Sequence, residues 1–134
     1  MRRTARIATT LAALSTVIGL TSSSAQADNA NAGIYTGWNQ VGYCEFRPYG
    51  EHLIIKDLDA DGHSIVAQLS VEGYGTYYYW NSEGNGTTRD KDLEFAEDHH
   101  VTLRCYVGDW KGSPTEGIIW DSYDKMNEFA RTWT

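Results

Sequence analysis

The feature that most constrains this chain is a period of two, repeated between turn signals. Ser64 to Val71 alternates: Ile65, Ala67, Leu69 and Val71 fall on one face, Ser64, Gln68 and Ser70 on the other. His100 to Asp109 does the same, with Val101, Leu103, Cys105 and Val107 opposite Thr102, Arg104 and Tyr106. Such alternation marks strands with one face on a core. From Trp38 onward Gly42, Cys44 and Phe46 oppose Val41, Tyr43 and Glu45, and Glu51 to Asp57 carries Leu53 and Ile55 on one side. Tyr74 to Trp80 reads as an aromatic strand. Thr87 to Asp90 and Gly117 to Trp120 read as short ones. Pro48-Tyr49-Gly50, Asp59 to Gly62 and Asn81 to Gly86 separate these runs as turns, because Gly, Asn and Asp accept the backbone conformations that tight turns need. Residues 121–133 are ambiguous: Tyr123, Met126, Phe129 and Ala130 have helical spacing, and Asp121 or Ser122 is a possible cap. Short strands with frequent turns predict one all-β domain, an antiparallel Greek-key β-sandwich of about seven strands with one disulfide.

The amino terminus reads as an export signal. Arg2, Arg3 and Arg6 precede an apolar stretch from Ile7 to Leu20, and Ala25-Gln26-Ala27 is a small-x-small cleavage site. The stretch is too short and too broken by Thr and Ser to span a bilayer. The expected organisation is a signal peptide over 1–27, an extended arm over 28–37 outside the core, and a sandwich over 38–134. The mature chain then has 134 − 27 = 107 residues, with 11 − 3 = 8 Lys and Arg against 18 Asp and Glu, a formal charge of −10. That balance argues against nucleic acid and anionic membranes as partners. It suits an extracellular protein that meets cations or a basic partner. Cys44 and Cys105 are the only cysteines, and in an exported chain an even count predicts that they pair.

No motif for covalent, phosphate-binding or zinc-hydrolase chemistry is present, so the chain reads as a non-enzyme. Asp57, Asp59 and Asp61 form the first half of a calcium loop, D-x-D-x-D-G, but Gln68 stands where the bidentate Glu belongs. These three aspartates are expected to bind Ca²⁺ weakly at most, and no other cofactor is expected. His52 and His63 flank a hairpin and are placed as a pair that could approach. Asn85-Gly86-Thr87 is a glycosylation sequon. The run Tyr77, Tyr78, Tyr79 and Trp80 puts rings on both faces of a strand; with Tyr35 and Trp38 it supplies candidate partner-binding residues.

Three segments carry a family resemblance: D-L-D-A-D-G-H-S over Asp57 to Ser64, N-S-E-G-N-G-T over Asn81 to Thr87, and V-T-L-R-C over Val101 to Cys105. Across Cys44 to Asp109 the chain resembles small secreted actinobacterial proteins that are disulfide-stapled β-sandwiches. It is more faintly similar to the small adaptor subunits of actinobacterial secreted toxin particles. That likeness implies a partner docked by the arm over 28–37. The expected function is a secreted, non-enzymatic module that binds another secreted protein. The rivals are a Ca²⁺-dependent or carbohydrate-binding domain, and an inhibitor of a secreted protease or glycosidase that presents the loop from Lys111 to Glu116.

Overall fold

A computed structural model of the chain describes residues 27–36, 38–123 and 130–134. Eight strands are present among them: β1 (Ala30–Thr36), β2 (Asn39–Arg47), β3 (His52–Asp57), β4 (Ser64–Val71), β5 (Gly75–Asn81), β6 (Thr88–Asp92), β7 (His100–Gly108) and β8 (Ala130–Trp133). They form two antiparallel four-stranded sheets: sheet A in the order β1-β2-β3-β6, and sheet B in the order β5-β4-β7-β8. The chain leaves sheet A after β3, builds the β4–β5 hairpin in sheet B, returns as β6 beside β3, and crosses again as β7 beside β4. Each return places a fourth strand next to the first, which is Greek-key topology.

The alternating positions meet between the sheets. Phe46, Leu53 and Ile55 from sheet A pack with Ile65, Leu69, Val101 and Leu103 from sheet B in a single core. Cys44 on β2 is bonded to Cys105 on β7, with their Cα atoms 5.7 Å apart, so the disulfide joins the two sheets through that core. Both cysteines are buried.

Residues 28–37, expected as an arm outside the core, include strand β1. Ala30, Ala32 and Ile34 are buried at 1, 3 and 1% exposure and belong to the same core. Ala30 pairs with Phe46 and Ala32 with Cys44. The physical reason is the size of the facing residues. Gly42 lacks a side chain where Ile34 and Ile65 converge; a Cβ there would lie 2.8 Å from Ile34 Cγ2 and 2.4 Å from Ile65 Cδ1. Small residues on β1 therefore reflect close packing and not solvation. The register shifts between Ile34 and Tyr35, a bulge of the kind that re-aims side chains at a sheet edge.

The carboxyl-terminal stretch also differs from its helical spacing. Ala130–Trp133 is strand β8, paired with β7 from His100 to Leu103. Residues 124–129, with Met126 and Phe129 of that pattern, lie outside the described residues. So does the export signal as far as residue 26. Residues 117–120 make one isolated bridge, Gly108 to Ile118, in place of the expected strand. Among the described residues no helix is long and apolar enough to cross a membrane.

Candidate functional site

Sheet B has a second apolar layer on its outer face. Outward positions on three adjacent strands supply it: Val66 and Gln68 from β4, Tyr78 and Trp80 from β5, Tyr106 from β7. The segment from Asp109 to Tyr123 folds over this face and places Ile118 and Tyr123 against it. β8 covers only the first half of β7. The second half is instead bonded to this segment: Ile119 N donates to Val107 O (3.0 Å), Asp109 N to Gly117 O (2.8 Å) and Val107 N to Ser122 Oγ (3.0 Å). Gly117, at φ +83°, is required there, since a Cβ would collide with Asp109 O at 1.8 Å. The Trp80 indole lies on Gly108, where a Cβ would come within 2.7 Å of the ring. Its Nε1–H donates to Pro114 O at 2.9 Å.

Two indoles project from this layer. Trp110 meets Trp80 edge to face at 5.3 Å and is 47% exposed. Trp120 meets Tyr78 at 5.9 Å and Tyr106 at 5.5 Å, both edge to face, and is 49% exposed. Beneath Trp120, Gln68 links two phenols: its Nε2 donates to Tyr78 Oη at 3.0 Å, and Tyr106 Oη–H donates to Gln68 Oε1 at 3.2 Å. Burial pushes the Tyr106 phenol above its usual range, opposed by the bond to Arg104. The arrangement holds large, half-wet rings on a backbone-anchored platform, a form of surface that binds by contact area at small entropic cost.

The candidate partner-binding residues do not form one surface. Tyr78 and Trp80 lie on the outer face of sheet B. Tyr77 and Tyr79 point the other way: Tyr79 packs on the core edge, and Tyr77 meets Phe95 at 6.0 Å. Trp38 is fully exposed at the β1–β2 turn, and Tyr35 on β1 is half-exposed. Of the six, Tyr78 alone joins Trp120 directly. Gln68, Tyr106, Trp110 and Trp120 complete the platform. Gln68 and Tyr106 were detectable as outward positions of flanking strands, but which strands flank each other is a matter of topology.

The three aspartates of the expected calcium loop are divided by burial. Asp57 ends β3 on its inward face, at 1% exposure, while Asp59 is half-buried and Asp61 exposed. Asp57 Oδ1 accepts from Asp59 N at 3.2 Å, and Asp61 Oδ1 from His63 N at 2.9 Å, so two of the carboxylates serve their own turn. Burial raises the Asp57 carboxyl, opposed by the Asp59 N–H and assisted by the Asp61 and Asp59 charges. Among the described residues no three His, Cys, Asp or Glu side chains are placed to hold a metal ion.

His52 and His63, expected to approach each other, sit at opposite ends of the sandwich. Each is bonded to its own aspartate at 2.8 Å: His52 to Asp90, His63 to Asp109. The antiparallel course of β3 and the crossover to β4 separate them. Both pairs raise the imidazole pKa, chiefly through the hydrogen bond to the aspartate. The His63 pair fastens the start of the Asp109–Tyr123 segment to the β3–β4 connection. The loop from Lys111 to Glu116 is exposed at its tip and closed by Glu116 N donating to Ser113 O.

Fold and surface together define a disulfide-stapled antiparallel β-sandwich with an aromatic outer face. No family model matches this chain, and no curated protein or solved structure is significantly similar to it.

Proposed function

We propose that this chain is an exported, non-catalytic module that binds another extracellular protein on the outer face of sheet B. The observation that carries this reading is the pair of half-exposed indoles, Trp110 and Trp120, on a segment bonded to β7. Aromatic anchors held rigid in advance are the side chains that dominate protein interfaces. Export is supported by the signal-like amino terminus, and the buried disulfide is compatible with an extracellular location. An adaptor role within a larger secreted complex is the form of this function that the resemblance suggests, with the aromatic face, not strand β1, as its docking element.

A second reading has its own observation. The amide of Gln68 and the phenols of Tyr78 and Tyr106 lie directly under Trp120. A ring above fixed polar groups also suits a sugar. Affinity capture from culture supernatant, beside a glycan panel, separates the two. A captured protein whose binding weakens by about 2 kcal/mol in Trp120→Ala supports the protein partner. Glycan binding lost in the same variant supports the sugar. Capture of one abundant hydrolase, lost on replacing Lys111 to Glu116 and not in Trp120→Ala, supports the inhibitor.

A further inference from the structure

Among the described residues, one sheet edge lacks the protection that the other three carry. Sheet A ends at β1 and β6, sheet B at β5 and β8. An edge strand offers unpaired N–H and C=O groups to any strand that arrives, and native folds guard such edges with charge, short length or bulges. β6 is charged from Arg89 to Asp92. β8 is four residues long and carries Arg131. β1 is bulged between Ile34 and Tyr35. β5 runs for seven residues, Gly75 to Asn81, with no charge, no proline and no register shift against β4. Its backbone direction follows from the ladders. Glu72 N donates to His100 O at 2.9 Å, in register with the β4–β7 pairs, so even-numbered residues of β4 bond to β7 and odd-numbered ones to β5. Gly75, Tyr77, Tyr79 and Asn81 therefore face β4, while Thr76, Tyr78 and Trp80 turn their backbone groups to the open edge. Arg89 Nη1 reaches Trp80 O at 2.8 Å, in keeping with that direction. Thr76 and Tyr78 have no backbone partner on this side among the described residues.

We propose that β5 is a dimerisation edge: a second copy of this chain adds its own β5 antiparallel, about a two-fold axis at Tyr78, and joins the two B sheets into one of eight strands. Self-complementarity selects a second copy. Tyr78 exchanges both backbone bonds with its counterpart, and Thr76 pairs with the second copy's Trp80. Tyr77 then stands opposite the second copy's Tyr79 on the inner face, an aromatic cross-strand pair of the kind that favours strand association. The chain has 18 acidic against 11 basic residues, yet β5 carries none of either, so the paired strands set no carboxylates against each other. Isologous pairing uses the one unguarded edge of each copy, so assembly closes at two. The outer face with Trp110 and Trp120 is left uncovered, and this inference does not rest on what that face binds.

The test is equilibrium sedimentation of the full chain across concentration and salt, beside residue-resolved amide hydrogen exchange. A contact one strand wide buries less than the roughly 1,200 Å² of a stable interface, so a weak dimer is expected, half-formed at about 10–500 µM. It should tighten as salt screens the repulsion between two acidic copies. The Thr76 and Tyr78 amides should gain protection as the dimer forms, while those of β6 stay unchanged. Thr76→Pro removes an outward N–H, which an edge strand tolerates, and should weaken association by about tenfold or more. Thr36→Lys, at the exposed end of β1, should change it less than about twofold. Should Thr76→Pro fail to fold, Tyr78→Lys takes its place, since it sets like charges opposite each other across the axis. A chain still monomeric at about 2 mM overturns the proposal, including the case in which the same amides become protected only by a foreign protein. A dimer lost in Trp120→Ala and kept in Thr76→Pro also overturns it, in favour of contact through the aromatic face.

Discussion

Replacing Ile34 by Ala tests whether the first strand belongs to the core. Ile34 is 1% exposed and meets Ile65 over Gly42. The change removes three carbons, and at about 0.8 kcal/mol for each the transfer loss is roughly 2.4 kcal/mol. The strands on either side are held by their ladders, so the space closes only in part. A residual void of about 50 Å³, at about 24 cal/mol per Å³, adds roughly 1 kcal/mol. The expected loss is therefore about 3.5 kcal/mol, or a fall in Tm of roughly 14–28 °C for a domain of this size. Urea unfolding measures it, with the midpoint falling and the slope unchanged. Tyr35→Ala is the internal control. Tyr35 is the next residue but half-exposed, and its removal should cost less than about 1 kcal/mol. If the two variants are equally stable, Ile34 is not in the core, and the segment is an arm after all.

Two further outcomes follow from buried chemistry. Reducing the Cys44–Cys105 bond, which spans 61 residues of sequence, should lower stability by about 4 kcal/mol through the freedom returned to the unfolded chain; denaturation with and without reductant measures it, and a difference under about 1 kcal/mol counts against the loop-entropy account. Asp57 has a buried Oδ2 with no hydrogen-bond partner among the described residues, and burial raises its folded pKa. Its contribution is then complete below the ordinary carboxylate value near 3.9 and is lost as pH rises through the raised folded value. Asp57→Asn should therefore gain stability relative to the native chain as pH rises above the ordinary carboxylate range, and a difference independent of pH would refute the assignment.

What the sequence determined by itself was the class of structure and its inward faces. Alternation along β4 and β7 names the core residues, because side chains a strand's period apart must share a face. The cysteine pair could be expected from export and count alone. Local chemistry also located the turns. Tertiary structure decided the rest. Ala30, Ala32 and Ile34 look like loop composition until Gly42 and the facing sheet are in place, since small residues are apolar enough to bury only where the partner comes close. Ala130 to Trp133 has helical spacing with its upstream neighbours, yet the open edge of β7 holds it as a strand, because ladder bonds outweigh weak intrinsic propensity. The aromatic run was visible as a run, but its division into inward Tyr77 and Tyr79 and outward Tyr78 and Trp80 depends on register. Trp110 and Trp120 reach that outer face only because the Asp109–Tyr123 segment bonds to the half of β7 that β8 leaves uncovered. The β2–β3 turn, the approach to β7 and the end of β8 line one groove, and only strand order brings these segments to one end. Sites built from several turns depend on which ends coincide, and that is set by how the chain crosses between sheets.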